Sequence, residues 1–303
     1  MKYRMFPDGL IHSLWLMLLV SACGQFGSSE ANPGASDTSF VSQKANLLAT
    51  LEEPPADALK KAETYEEIAM LAYERYPGQT VSYLQQAAEF YKESKANEKA
   101  ASCLLNAGCI YDERLHLADS ALYFLQASIP FWEKTGNKNG KANVLKYQGV
   151  LEGKIGRLND AKKHAQEAID LFRETEHRPG LAVSYYDMAC ILDMADQPDS
   201  SLYFIEASQN IWEQQGNQER MFINNTLAMR VLTKQDKTED ALARFEINEG
   251  IRSTIDVHYI PLLSYFEAAR QLQETIQDEP AQKKLEKEEK QLRKDLKRDG
   301  IVL

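Results

Sequence analysis

The sequence predicts an all-α solenoid of antiparallel helix pairs, five regular units and a divergent capping unit. Three observations carry this. A forty-residue step links small residues at Ala69, Cys109, Gly149 and Ala189, ending at Met229. The same step links apolar residues at Tyr91, Phe131, Leu171, Ile211 and Ile251, and turn-forming residues at Asn97, Asn137, His177 and Asn217. No insertion or deletion breaks that register, and a fixed period is the mark of stacked units that bury a face only against neighbours.

In chain order, Lys2 and Arg4 precede an apolar run from Leu10 to Val20 and the small residues Ser21 and Ala22. These are the parts of a secretory leader, and eleven residues cover roughly half of a ~30 Å hydrocarbon core. Residues 1–22 therefore read as a signal peptide. Residues 23–56 read as a flexible tether: Gly, Ser, Ala, Asn and Pro dominate its first part and bury too little apolar surface to fold. A short helix is expected from Ser39 to Leu51, ended by Pro54 and Pro55.

The regular units occupy residues 57–256. In the unit around Gly140, a helix is expected to Ile155, Gly156 to take the left-handed conformation, and Asn159 or Asp160 to cap the following helix from Ala161 to Glu174. Gly149, Ala161 and Ala168 are expected to meet where the two helices close most tightly. Trp132, Phe172 and Trp212 are expected to wedge against the following unit. Residues 257–303 form the divergent unit, and its second helix, Glu279 to Arg298, keeps Ala281, Leu285, Leu292 and Leu296 on one face. That helix reads as a solvating cap, with self-association through 279–298 as the alternative.

The formal net charge is -10 over 303 residues. Setting aside Lys2, Arg4 and Asp8 of the leader leaves 33 basic against 44 acidic residues, which argues against nucleic acid as a partner. The segment Gly136 to Ala142 has three residues between its glycines and Ala142 after the lysine, so it fails as a phosphate-binding loop. His12, His116, His164, His177 and His258 share no helix face at ligand spacing, and Cys103, Cys109 and Cys190 read as small buried hydrophobes. No catalytic residues, metal or cofactor are expected, and the chain reads as a non-enzyme.

The repeat resembles the tetratricopeptide repeat (TPR) family, on Gly149, Gly156, Leu158, Asn159, Asp160, Ala161 and Ala168. The resemblance implies a superhelix whose first helices line a concave groove for a protein or peptide partner. Carried onto this chain, the groove candidates are Met70, Tyr73, Asn106, Ile110, Lys146, Val150, Tyr186, Cys190 and Arg230. Val20-Ser21-Ala22-Cys23 resembles the lipobox of bacterial lipoproteins, which implies acylation of Cys23 and attachment to the membrane. Gly24, where an acidic residue would signal retention at the inner membrane, implies the outer membrane facing the periplasm. The resemblances together imply a lipid-anchored scaffold or adaptor of the bacterial envelope. The alternative is a signalling module related to the TPR sensory regions of bacterial histidine kinases.

Overall fold

The computed structural model describes residues 37–52, 57–73 and 75–298. They form two compact units, divided at His177 and Arg178. Among the described residues there are thirteen helices and no strand. The leader, Cys23 and the first part of the tether lie outside them.

The first unit holds α1 (Asp37–Ala49) and three helix pairs: α2 (Ala58–Ala72) with α3 (Pro77–Glu93), α4 (Asn97–Glu113) with α5 (Ala118–Thr135), and α6 (Lys138–Lys154) with α7 (Leu158–Glu174). The second unit holds three more: α8 (Arg178–Met194) with α9 (Pro198–Gln215), α10 (Gln218–Lys234) with α11 (Thr238–Arg252), and α12 (Tyr259–Thr275) with α13 (Glu279–Arg298). The expected fold class, helix pairs in sequence order, is what the chain forms.

Helix ends explain the regular length. A residue with positive φ follows a helix at Lys95, His116, Gly136, Gly156, Glu176, Asp196, Gly216, Asp236 and Gln277. After most of these, the next backbone N–H reaches back five residues, as Asn137 N does to the Trp132 carbonyl at 3.1 Å and His177 N to the Phe172 carbonyl at 2.9 Å. This is the Schellman closure, which satisfies carbonyls the helix leaves open. Asn137 and Asn217 then accept from the N–H of Gly140 (2.9 Å) and Arg220 (3.1 Å), capping the next helix. The α7 start differs from expectation: Arg157 occupies the cap position without a side-chain bond, and Asp160 lies inside the first turn, where its charge favours the helix N-terminus.

Within the pairs, small residues set the approach. A Cβ on Gly149 would stand 2.9 Å from the Ala161 carbonyl oxygen and 3.1 Å from Ala165 N, so α6 and α7 touch backbone to backbone there. The partners of Gly149 are thus Ala161 and Ala165, one turn before the expected Ala168. Between pairs, rings wedge. The Trp132 indole lies on Gly140 so closely that any Cβ there would overlap it. Trp212 and Ile211 pack with Ala182 and the flanking Met221. Each such ring contributes on the order of 2–3 kcal/mol of burial.

Polar side chains tie successive pairs near the same forty-residue spacing. In the first unit Asn137 donates to Glu98 (3.0 Å) and Lys154 to Asp112 (2.6 Å). In the second, Arg252 donates to Glu288 (2.8 Å). The leucine stripe of α13 is used inside the unit: Leu285 and Leu296 are buried and Leu292 packs on the α12 cluster around Tyr265 and Leu272.

Candidate binding face

The nine groove candidates sit on, or one residue past, the first helices of their pairs, and the structure separates them by exposure. In the first unit Met70 is open at 46% exposure, and Tyr73 and Asn106 are half-buried. The Arg114 guanidinium lies 5.5 Å from the Tyr73 ring centre, which fixes that ring by a cation–π contact. Ile110 and Val150 are buried at 3%, and Lys146 at 4% with its ammonium 4.6 Å over the Tyr147 ring. These three pack as part of the helix layer. The reason for Ile110 is position: α4 packs between α3 and α5, whereas α2 is flanked by the single helix α1 and by no further pair among the described residues.

In the second unit Tyr186 and Cys190 are buried and Arg230 is half-buried. These three do come together. Burial, the nearby Cys190 and a hydrogen bond to it push the Tyr186 hydroxyl well above its usual range, with Arg230 opposing. Burial pushes the Cys190 thiol up to about 12, again against Arg230. Both groups are therefore held neutral, and a thiol so disfavoured as thiolate is a packing group rather than a nucleophile. Burial works against the charge of Arg230, but Asp193, with Cys190 and Tyr186 beside it, outweighs the desolvation and keeps the guanidinium charged. Its Nη2 donates to Asp193 at 2.9 Å, and Lys234 shares the same carboxylate at 2.8 Å. Asp193 is the residue that organises this corner. It falls in the column Tyr73, Glu113, Gly153, Asp193, so its acidic character among first-helix basic residues was the available signal.

Among the described residues no group of His, Cys, Asp and Glu could hold a metal ion, and no helix is long and apolar enough to cross a membrane. Cys103, Cys109 and Cys190 are all buried. Val150 lines, with Gly108, Tyr147 and Leu151, a dimple with only about 10 Å³ of water-sized space, too small for a ligand.

No family model and no curated protein matches the chain. Solved structures do. The signal transduction ATPase with a tetratricopeptide repeat sensor from Pyrococcus horikoshii superposes with a TM-score of 0.69 at 14% identity, over 95% of this chain and 43% of that one. A Podosopora anserina kinesin light chain protein with nearly identical TPR-like repeats gives 0.52 at 12%, over 63% and 94%. The fold is the tetratricopeptide-repeat fold. The apo form of RapI, at a TM-score of 0.65 and 11% identity, covers 95% of this chain and 98% of its own. Of the first-helix candidates, Met70, Tyr73 and Asn106 in the first unit and Arg230 in the second are the ones not fully buried.

Proposed function

We propose that this TPR chain is a lipid-anchored, non-enzymatic scaffold of the bacterial envelope, held at the outer membrane through an acylated Cys23 and binding a protein partner with its first helices. The observation that carries the binding part is the division within the first-helix columns. In the first unit Ile110, Lys146 and Val150 are packed, and so hold that unit's face rigid, while Met70, Tyr73 and Asn106 stand accessible. A rigid face with an apolar anchor and polar neighbours suits an extended peptide or an amphipathic helix. The anchoring part is supported by the leader residues and Val20-Ser21-Ala22-Cys23. Self-association through 279–298 is disfavoured, because Leu285 and Leu296 are already buried within one chain.

Two measurements test this. Cys23→Ser moves the protein from the membrane to the soluble fraction; full retention in the membrane contradicts the anchor. Met70→Glu together with Asn106→Asp removes a partner recovered from solubilised membranes by the parent chain, with an unchanged circular dichroism melt; undiminished recovery excludes this face.

A second reading, a signalling module, is favoured by one observation, the likeness to the TPR sensor of a signal transduction ATPase. It predicts that the partner recovered is a kinase or regulator.

A further inference from the structure

The last helix carries a feature that the protein-binding face does not use. On α13, Lys283, Lys287, Lys290, Lys294 and Lys297 follow steps of four, three, four and three residues. At 100° and 1.5 Å per residue they form one straight row within an arc of roughly 80°, about 21 Å long. All five are exposed. The row stands opposite the buried Leu285 and Leu296, so packing fixes its direction.

Three of the five acids of the same helix, Glu288, Glu289 and Asp295, are turned away from the row. Glu289 is buried against Arg270 and Arg293, at 3.2 and 2.9 Å, and Glu288 is half-buried on Arg252 at 2.8 Å. Only Glu279 and Glu286 are exposed carboxylates on α13, and Glu279 pairs with Lys283 at 3.1 Å. Exposed cations on this helix number seven, the five of the row with Lys284 and Arg298. A chain with ten excess negative charges thus presents a dense positive edge on its final helix.

We propose that this lysine row docks on an anionic lipid surface. Charge complementarity selects an anionic occupant, and the form of the row selects a planar one. It has no groove, no exposed aromatic anchor and no apolar side chain among the lysines, which a protein hot spot would supply. Lysine ammoniums are mobile point charges on long stems, suited to a sheet of phosphate headgroups without a fixed geometry. The acidic remainder of the chain is repelled by such a surface, so binding through α13 also orients the molecule. This inference does not rest on Cys23 or on the protein-binding face.

The test uses residues 24–303, which retain every described helix and lack the apolar run Leu10 to Val20. Co-sedimentation is measured with vesicles of phosphatidylcholine alone and with phosphatidylglycerol added. The expected result is binding only to the anionic vesicles, weakening as salt rises. Replacing the five lysines of the row by glutamine is expected to weaken binding at least ~100-fold, since each lysine near an anionic leaflet contributes about fivefold. Replacing Lys60, Lys92, Lys95, Lys134 and Lys163 by glutamine makes the same change in net charge and is expected to leave binding nearly intact. Equal binding to neutral vesicles, equal losses in both variants, or tighter retention on a DNA duplex than on the anionic vesicles would each overturn the proposal. Loss of partner recovery in Met70→Glu with vesicle binding intact would separate the two surfaces.

Discussion

Helices α6 and α13 belong to the same repeat pattern and are used in opposite ways. Of α6, most residues from Gly140 to Gly153 are buried, including Lys146, Gln148 and Glu152. Of α13, only Leu285, Glu289 and Leu296 are. α6 has little amphipathic pattern because it is enclosed from several sides, and its polar groups survive there by pairing: Gln148 donates to Gln126 at 3.0 Å and Glu152 meets His164 at 2.7 Å. α13 closes its unit, so one face packs and the other is free to carry a single sign of charge. The lesson is that exposure in a repeat follows a helix's place among its neighbours more than its composition.

That comparison can be broken most forcefully on the buried side of α13. Leu285→Ala leaves a cavity beneath the final helix and is expected to cost about 3 kcal/mol in urea unfolding; a loss below about 1 kcal/mol would mean that α13 is not packed as described. Gly149→Ala is expected to cost about 2 kcal/mol, because its Cβ would press on the Ala161 carbonyl oxygen of α7. A neutral result there would show that α6 and α7 can separate freely. Smaller and opposite in sign, Glu176→Gly relieves a left-handed residue at the α7 end, φ 53°, and is expected to stabilise by about 0.5–1 kcal/mol. Smallest of all, Lys290→Ala on the free side of α13 is expected to stay within about 0.5 kcal/mol, while Leu285→Ala, five residues away, does not.

Much of the fold was legible because it depends on spacing. The column of Gly149 and the turn at Gly156 located a helix pair whose glycine takes φ 80°. Gly136-Asn137 and Gly216-Asn217 likewise marked real joints, with the glycine left-handed and the asparagine capping. Left-handed ends at Lys95, Glu176 and Gln277 were not legible, since those side chains are poor at positive φ and only the backbone closure holds them. For the binding face, the columns named residues on or next to the first helices but could not rank their exposure. Val150 and Met70 share one column, and one is packed while the other is open, because among the described residues α2 is flanked by the single helix α1 and not by a further pair. The lysine row of α13 was visible as spacing but hidden by reading charge as a total, which the acids of the same helix, among them the inward-facing Glu288 and Glu289, offset in part.

The measurement that bears most directly on the account is cross-linking in intact cells from photoreactive residues placed at Met70 and Asn106 on first helices and, as the contrast, at Tyr123 on a second helix, where the ring is 68% exposed. The account predicts one envelope protein trapped from Met70 and Asn106 and not from Tyr123. Adducts from Tyr123 alone, or none from either first-helix position, would contradict it.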